Sequence, residues 1–387
     1  MGYSVDLSDD QRALRDTVRE FAEGEIAPHA AGWDRDGVFP TATIRQLGQL
    51  GVMGLPFPEE YGGVGAGSLS MAIALEELAR VDSAVAITVA ASVSLGGTPL
   101  LSFGSEPQKQ CWLVPLARGE TLGAFASTEP GAGSDVQGIQ TTARFDGDAW
   151  LIDGTKAYIT NAGTELSAFT TTTAVTGRRG PEDRPEVTTF IVPAGTPGFM
   201  PQRPYHKMGW HASDTRELVY QECRVPEDAM LGPRGAGARQ FLATLDGGRV
   251  GVGAMGLGLA QGCLDHSVAW AKQRCAFGQP IGRYQAVAFQ LADLATRIQA
   301  ARSLVYRAAA LKDAGRANTE EAAQAKLFAS ELAVAAADVA MQVHGGYGYI
   351  EESIIPRYYR DAKILTIGEG TSEILKLVIA RKMGLDV

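Results

Sequence analysis

The sequence predicts a multidomain α and β protein in which a helical part, a β-rich part and a second helical part follow one another. Apolar residues recur at helical spacing before about residue 120 and after about residue 232. Between these limits, short β-favouring runs alternate with glycine-containing turns. The chain has 387 residues, more than one hydrophobic core ordinarily supports. We therefore expect three domains, at residues 1–120, 121–232 and 233–387.

The N-terminal part is predicted to begin with a helix. Ser8 and Gln11 have the spacing of a capping box, and Pro28 is expected to end the helix that they open. A second helix is expected over residues 68–79. Residues 83–105 carry no charge and are numerous enough to cross a bilayer, but about half of them are Ser, Thr, Gly or Pro. This composition favours a buried helix and turn over a membrane span.

The middle part is predicted to be a small β domain. Its β-favouring runs are broken at Asp146-Gly147 and again at Asp153-Gly154, and both pairs are typical of hairpin turns. Two further runs rich in Thr and Val predict additional strands.

The C-terminal part is predicted to be a helical bundle. From residue 287 to residue 308, apolar residues alternate by four and three, which indicates a helix with a narrow apolar seam. Asn318 and Glu321 have the spacing of a capping box for the next helix. An apolar stripe over residues 328–339 then leads onto Gln342, which places a polar group on the predicted buried face.

Composition and charge argue against several classes of function. A formal net charge of −9 disfavours binding to nucleic acid or to an anionic membrane. The four cysteines are far apart and the five histidines form no ligand pattern, so neither a disulfide framework nor a metal site is expected. Acidic residues near the N-terminus are unlike a signal peptide, and we expect a cytoplasmic protein with reduced thiols. Abundant Gly and Ala predict closely packed helices.

Four short motifs carry residues suited to a nucleotide or a flat ring, although each also has an ordinary structural interpretation. Residues 125–135, FASTEPGAGSD, form either a glycine loop whose N–H groups cradle a phosphate or a polar turn after a strand. Residues 156–161, KAYITN, place an aromatic ring and a hydroxyl on one face of a predicted strand. Residues 274–278, RCAFG, offer an arginine for a phosphate or for a helix dipole. Residues 342–349, QVHGGYGY, end a helix at a glycine pair.

A fifth motif, IGEGTSEI at residues 367–374, contains a candidate base. Glu369 lies between two glycines among apolar residues, just before a helix that Thr371 or Ser372 should cap. A partly desolvated carboxylate has a raised pKa and suits proton abstraction, whereas the alternative is a simple loop acid near a helix N-terminus. GVGAMG at residues 251–256 matches GxGxxG, but it follows no predicted strand, so no dinucleotide-binding Rossmann unit is expected there.

Together and in this order, these motifs resemble those of the acyl-CoA dehydrogenase family. The resemblance is carried by TEPGAGSD and by EGTSEI, which is preceded by RDAK and followed by LVIA, and it covers nearly the whole chain. It implies an α-helical N-terminal domain, a middle β-barrel and a C-terminal four-helix bundle, with FAD between the last two. It also implies an acyl-CoA substrate, an electron-transferring flavoprotein as acceptor, and a homotetramer built as a dimer of dimers.

The resemblance also assigns roles to individual residues. It makes Glu369 the base that takes the α proton while the β hydride passes to the flavin. The segments expected to reach the FAD of a neighbouring subunit are those that contain Arg274, Phe277 and Gln285, together with residues 342–346. The implied FAD contacts are Phe125, Ser127, Thr128, Gly133, Ser134, Tyr158, Ile159, Thr160, Arg274, Phe277, Gln285, Gln342, Val343, Gly345, Gly346, Thr371 and Glu373. The implied substrate contacts are Ser134, Asp246, Arg249, Gly368 and Gly370.

Departures from the family pattern narrow the expected substrate. Some relatives place the base just before the arginine that matches Arg249, but here that residue is Gly248, which leaves Glu369 as the base. Gly368 stands where a bulkier residue is common, so the acyl pocket should be wider or reshaped near the β carbon. Ala86 aligns with an arginine of decarboxylating glutaryl relatives, and an uncharged acyl chain is therefore favoured. Tyr158 replaces a common tryptophan, a mild change beside the flavin.

The activity implied by the resemblance is α,β-dehydrogenation of a saturated acyl-CoA to the trans-2-enoyl-CoA. Three alternatives remain open at this point: a flavin oxidase or monooxygenase, a dehydrogenase of acyl-carrier-protein thioesters, and a non-catalytic acyl-CoA-binding protein. The intact Glu369 argues against the monooxygenase, and the full set of cofactor motifs argues against a protein without FAD.

Overall fold

The computed structural model describes residues 7–180 and 184–387, and within them the predicted order of helices, sheet and helices is confirmed. The first six residues, where no signal peptide is expected, lie outside the described residues.

The N-terminal part is a set of helices in which α4 and α5 are buried along most of their length. The predicted capping box is confirmed, because the Ser8 hydroxyl accepts the Gln11 N–H at 3.2 Å and the Gln11 side chain accepts the Ser8 N–H at 3.0 Å. The predicted second helix is confirmed as α4. The helices are α1 Asp9–Phe21, α2 Ala27–Asp36, α3 Thr41–Gln49, α4 Gly67–Val81, α5 Ser83–Ala90, α6 Thr98–Phe103, α7 Glu106–Gln108 and α8 Val114–Ala117.

The prediction that Pro28 ends the first helix is wrong. Helix α1 ends at Phe21, a π-helical turn follows over Ala22–Ile26, and Pro28 lies in the first turn of α2. Proline is tolerated in a first turn because the N–H groups there have no intrahelical acceptor. The helical path therefore continues through a wider turn, and the proline lies at the start of the next helix.

The uncharged segment is a buried helix and turn, as expected. Within the described residues, one helical stretch, Ser83–Phe103, is long and apolar enough to cross a membrane, and 78% of its most apolar window is buried inside the protein. The stretch comprises α5, a π-helical turn over Ala91–Gly97, and α6. Gly96 lies so close to the first strand that a Cβ atom there would come within 2.9 Å of the Gly123 backbone. The segment thus packs the helical part directly against the first strand of the sheet.

The middle part is a curled seven-stranded sheet with the order β1-β4-β2-β3-β7-β6, in which β5 pairs with β4. Strand β1 runs parallel to β4, whereas the β2–β3, β3–β7, β4–β5 and β6–β7 pairs are antiparallel. The predicted hairpin at Asp146-Gly147 is confirmed, because it joins β2 to β3. The strands are β1 Leu122–Ala126, β2 Thr142–Phe145, β3 Ala149–Thr160, β4 Ser167–Arg179, β5 Arg184–Pro193, β6 Phe199–Pro204 and β7 Thr215–Pro226.

The second predicted hairpin, at Asp153-Gly154, is wrong. Strand β3 runs through this pair without turning, and its register with β7 shifts there in a β-bulge. Gly154 has a φ of +150°, and a Cβ atom on it would lie 2.5 Å from the Thr141 hydroxyl. The glycine is therefore needed for a bulge and a close approach, which the same residue pair signals as readily as a turn.

The C-terminal part is a bundle of long helices built around α9. Glycines and alanines let its members approach closely, and a Cβ atom on Gly256 of α9 would lie 2.8 Å from the Ala329 carbonyl of α11. The close helix packing predicted from composition is thus confirmed. The elements are α9 Gly237–Gln273, β8 Cys275–Ala276, β9 Gln279–Pro280, α10 Gln285–Asp313, α11 Thr319–His344, α12 Ile355–Ala362 and α13 Ser372–Lys382.

The predicted capping box at the start of α11 is wrong. Asn318 precedes the helix, but its side chain makes no capping bond. Its amide instead donates to the Ala308 carbonyl of α10 at 3.1 Å, which fastens the loop between the two helices. A side chain with both donor and acceptor groups can serve either purpose, and here the tertiary contact prevails.

The buried face of α11 is only partly the one predicted, because Leu332 of the predicted stripe is fully buried but its other members are not. Its buried seam consists mainly of alanines, including Ala329, Ala333 and Ala337, whereas Phe328 is only half-buried. Gln342 lies on the same side of the helix as the half-buried Phe328 and is itself exposed. The prediction followed the large apolar residues, whereas the α9 backbone packs mainly against the small ones.

Candidate active site

The candidate base, Glu369, lies on a short strained loop between α12 and α13. It has a φ of +54°, and Gly370 follows with a φ of +99°. The residue is partly exposed, but its Oε2 atom is enclosed and has no hydrogen-bond partner among the described residues. Thr371 caps α13 by accepting the Ile374 N–H at 3.3 Å, so one of the two predicted caps is confirmed.

The electrostatic environment of Glu369 suits a proton acceptor. Burial raises the pKa of the carboxyl group to about 7, while the positive charges of Lys326 and Arg249 act in the opposite direction. The raised pKa expected from the sequence is therefore confirmed. A group that titrates near neutral pH can be ionised before the reaction and still bind a proton firmly.

Gly248 on α9 provides the space for this carboxylate. A Cβ atom on Gly248 would lie 1.8 Å from Glu369 Oε2 and 3.2 Å from Leu95 Cδ2. The base, the helix backbone and an apolar side chain from the N-terminal part thus meet at one point. Among the described atoms, a Cβ atom on Gly368 would approach only the Ile364 carbonyl, at 3.7 Å, so space is open beside the residue that precedes the base.

Asp246 and Arg249 form an ion pair next to this point. Arg249 donates through Nη1 to Asp246 Oδ1 at 2.9 Å, and the Thr319 hydroxyl donates to the other carboxylate oxygen at 2.7 Å. Arg249 is buried, and its Nε atom has no partner within the described part of the chain. A buried guanidinium with a free donor can bind a polar ligand atom without first breaking an internal bond.

The loop at residues 125–134 is open on one side and braced on the other. Gly133 and Ser134 are exposed, and a Cβ atom on Gly133 would meet no described atom within 4 Å. Phe125 stacks on Phe241 of α9, with their ring centroids 5.9 Å apart. Ser127 and Thr128 are half-buried between these ends. The backbone and hydroxyl groups of the loop are accessible to a ligand from the open side.

A buried ion pair that the sequence did not identify braces this loop. Lys156 Nζ donates to Glu129 Oε1 at 2.8 Å and to the Ser127 carbonyl at 3.2 Å. Glu129 also accepts the backbone N–H groups of Gln140 and Thr141, at 2.7 and 3.0 Å. Burial lowers the pKa of Lys156 to about 8. Each partner lies within a motif that the sequence singled out, so the available signal was one residue of each charge in two motifs expected to lie close together.

Strand β3 presents Tyr158 next to the braced loop. Its side chain is 67% exposed, whereas Ile159 is buried and Thr160 half-buried, in agreement with the predicted alternation. Tyr158 has a φ of +62° at a second bulge in the strand, and its ring lies 5.3 Å from that of Tyr205. An exposed aromatic face beside half-buried hydroxyls leaves room for a flat polar ring.

A second group of predicted cofactor residues gathers at the other end of α9. The Arg274 guanidinium lies 5.9 Å from the centre of the Tyr347 ring, and Phe277 is 96% exposed with a φ of +50°. Gln285, Gln342, Gly345 and Gly346 are exposed, whereas Val343 is buried in a small cluster with Ala271 and Leu291. Along α9, Arg274 is 26 residues from Gly248, or about 39 Å at 1.5 Å per residue.

The remaining predicted contact, Glu373, lies in the first turn of α13. It is exposed, and hydrogen bonds from its own backbone N–H and from Thr371 lower its pKa. The structure therefore places Thr371 and Glu373 together at a helix N-terminus, which favours negative charge. Taken together, the open glycine loop, the exposed Tyr158 ring and the unpartnered carboxylate fit a flavin nucleotide beside a substrate.

Comparison with known proteins identifies the family. Models of the acyl-CoA dehydrogenase N-terminal, middle and C-terminal domains match residues 8–120, 124–223 and 235–384. A Bacillus subtilis protein, "Probable acyl-CoA dehydrogenase YngJ", is 49% identical over 98% of this chain and 99% of its own length.

Two solved structures have nearly the same fold. The butyryl-CoA dehydrogenase of Megasphaera elsdenii matches with a TM-score of 0.95 and 41% identity over the whole of both chains. A chain in a structure of the electron-transferring flavoprotein of Acidaminococcus fermentans matches with a TM-score of 0.95 and 42% identity, covering 99% of this chain and 100% of that one. This protein belongs to the acyl-CoA dehydrogenase family.

Proposed function

We propose that this enzyme oxidises a short, uncharged, saturated acyl-CoA to the trans-2-enoyl-CoA, with Glu369 as the base. The observation that carries the proposal is the enclosed, unpartnered Oε2 atom of Glu369, on a carboxyl group with a pKa of about 7. FAD, when bound, supplies the two-electron acceptor for the hydride that leaves the β carbon. Residues 125–134, 158–160 and 371–373 are the groups that would hold it.

The residues of this chain divide the work of removing a weakly acidic α proton. Glu369 takes the proton without first giving up a hydrogen bond, because its Oε2 atom has no partner among the described residues. Family resemblance implies that its own backbone N–H donates to the thioester carbonyl, which stabilises the charge that develops there. Once protonated, the carboxyl group is neutral, so burial no longer destabilises it as burial destabilises the charged form.

The space around the base supports an uncharged acyl chain, and the name of a matching protein supports a short one. Leu95 contributes an apolar wall beside Gly248, and the fully buried Ala86 of α5 offers no charge of its own to a second carboxylate. The matching Megasphaera elsdenii protein is named for butyryl-CoA, which is a short-chain thioester. A panel of acyl-CoA substrates of graded length, branching and charge, assayed with a ferrocenium-type acceptor, should show the highest kcat/KM for short uncharged chains. A preference for long-chain or dicarboxylic thioesters would refute this substrate class.

Replacement of Glu369 tests the role of the base directly. We expect Glu369→Gln to retain FAD and to lose activity thousands-fold, because the amide cannot accept the α proton. Glu352→Gln, at an exposed position, is the matched control and should keep its activity. Near wild-type turnover in Glu369→Gln would refute the assignment. Anaerobic bleaching of the flavin by substrate, followed by slow reoxidation in air, would distinguish a dehydrogenase from an oxidase.

We further propose that the enzyme passes its electrons to an electron-transferring flavoprotein and acts as a homotetramer in the cytoplasm. The separation of about 39 Å along α9 between Gly248 and Arg274 supports an oligomer, since one group could serve the FAD of its own subunit and the other that of a neighbour. The exposed Phe277 is the type of residue that an interface would cover. Analytical ultracentrifugation of the FAD-bound protein should give the mass of four chains.

The domain boundaries remain a proposal at residues 120 and 232. Sheet strands begin at Leu122 and end at Pro226, and α9 begins at Gly237. Limited proteolysis should cut preferentially near these two boundaries if the three parts fold as separate units.

A further inference from the structure

Lys326 is a buried lysine that none of the sequence motifs includes. It lies on α11, and its side chain is fully enclosed. A lysine is rarely buried without a partner, because removing an ammonium group from water is costly. Its Nζ atom donates to the Gly370 carbonyl at 2.6 Å, across 44 residues of sequence. The lysine thus reaches from the bundle to the residue that directly follows Glu369.

This hydrogen bond acts on the strained part of the loop. Glu369 is not a glycine, yet it has a left-handed φ of +54°, and such a conformation persists only where neighbouring groups offset its strain. Hydrogen bonds from an ammonium group are among the stronger ones in proteins. Lys326 therefore secures the loop from α11, while the Thr371 cap secures it from α13.

The ammonium group also affects the charge on the base. The charged groups around Lys326 come from each neighbouring element: Glu369 on the loop, Arg249 on α9, Glu331 on α11 itself and Glu373 on α13. Burial, reinforced by Arg249, lowers the pKa of Lys326 to about 8, so the group is still mainly charged at neutral pH. That charge in turn lowers the pKa of Glu369, which burial alone would raise further.

We propose that Lys326 is a positioning residue for Glu369: it fixes the loop through the Gly370 carbonyl and supplies positive charge to the enclosed carboxylate. The inference rests on the proposed role of Glu369 as the base. Lys326 acts through Glu369 and Gly370, so it is distinguished from a merely structural lysine by its effect on the titration of the base.

Three substitutions separate the two contributions of Lys326. Lys326→Met removes both the donor and the charge, Lys326→Gln retains a donor, and Lys326→Arg retains the charge. The first measurement is the pH dependence of kcat/KM. The second is the carboxylic-acid C=O stretch of Glu369 in the resting holoenzyme, identified by infrared difference against Glu369→Gln.

We expect the Met and Gln variants to shift the acid limb of the profile, and the infrared titration, upward by about one pH unit or more. A shift of one unit corresponds to about a tenfold loss of kcat/KM below the pKa. Lys326→Arg should restore the wild-type limb. At high pH, where Glu369 is ionised in every variant, Lys326→Gln should keep more activity than Lys326→Met because the loop contact persists.

Lys207 offers a matched control. It also donates to a backbone carbonyl at 2.6 Å, that of Ser213, but in the middle part of the chain. Lys207→Met should lower the thermal stability without moving the acid limb. If Lys326→Met does not fold, Lys326→Gln and Lys326→Arg decide the matter.

An acid limb and an infrared titration that are unchanged in Lys326→Gln would overturn the inference. Its failure is distinct from failure of the proposed function. An active Glu369→Gln variant would refute the base, whereas an inactive Glu369→Gln with an unshifted Lys326→Gln would refute only the positioning role.

Discussion

Substitution of Gly248 by alanine should impair the base while leaving the fold intact. The Cβ atom of Gly248→Ala would lie 1.8 Å from Glu369 Oε2, and real Cβ atoms do not approach other atoms closer than 3.0 Å. The carboxylate must therefore move by about 1.2 Å, the difference between the two distances. The helix backbone cannot yield instead, because Gly248 lies well inside α9.

The expected cost falls on catalysis more than on stability. A displacement of about 1 Å at a reacting group can lower the rate about 100-fold, so we expect a loss of that order in kcat for Gly248→Ala. The atom that must move is the tip of a flexible side chain, and Leu95 needs to yield by only a few tenths of an ångström. Replacement of a helical glycine by alanine itself stabilises a helix by about 0.5–1 kcal/mol. The free energy of unfolding should therefore change little.

Gly251→Ala is the matched control for this experiment. It lies one turn further along the same helix, and its Cβ atom would make ordinary contacts, at 3.4 Å to Leu75 and 3.7 Å to Ser94. Steady-state kinetics and urea denaturation of both FAD-bound variants should show a large loss of kcat for Gly248→Ala only. A Gly248→Ala enzyme within threefold of wild type would show that this carboxylate position is not the productive one.

Three further predictions concern the base, the cofactor and the loop brace. Because the pKa of Glu369 is raised to about 7 and the ionised form is active, kcat/KM should fall tenfold per pH unit below that value; a flat profile down to pH 5 would contradict it. Arg274→Ala should weaken FAD retention in equilibrium dialysis while exposed Arg45→Ala does not, and equal retention would exclude a phosphate contact. Glu129→Gln leaves Lys156 as an unpaired buried charge and should lower the free energy of unfolding by about 3–5 kcal/mol in urea; a loss under 1 kcal/mol would contradict this.

Short-range signals were sufficient for several parts of the structure. The Ser8 capping box and the Thr371 cap depend on residues three positions apart, so the sequence displays them directly. The surroundings of Glu369 were also predictable, because its glycine neighbours and its apolar context are adjacent in the chain. Its role as the base, and the cofactor and substrate contacts assigned with it, remain predictions.

Contacts between distant residues were beyond the reach of sequence patterns. Lys326 is 44 residues from Gly370, and nothing in its own helix indicates that it points toward the base. From the sequence, Gly248 showed only that no base stands at that position. In the structure, Gly248 leaves the space that the Glu369 carboxylate occupies. On α11, both the large apolar residues and the alanines recur at helical spacing and form two adjacent stripes. Only the packing against α9 decides which of these residues are buried.

The properties of Glu369 arise from opposing effects that must all be present. Without burial, its pKa would lie near the ordinary value of 4.5, and the carboxylate would be a weaker base by more than two pH units. Without Lys326 and Arg249, burial would raise the pKa above 7 and leave the group protonated at neutral pH, unable to accept the α proton. Gly248 allows the carboxylate to be enclosed without a compensating hydrogen bond, which would have to break in each turnover. Near neutral pH, the loop thus supplies a carboxylate that can be ionised and that has no hydrogen bond to break.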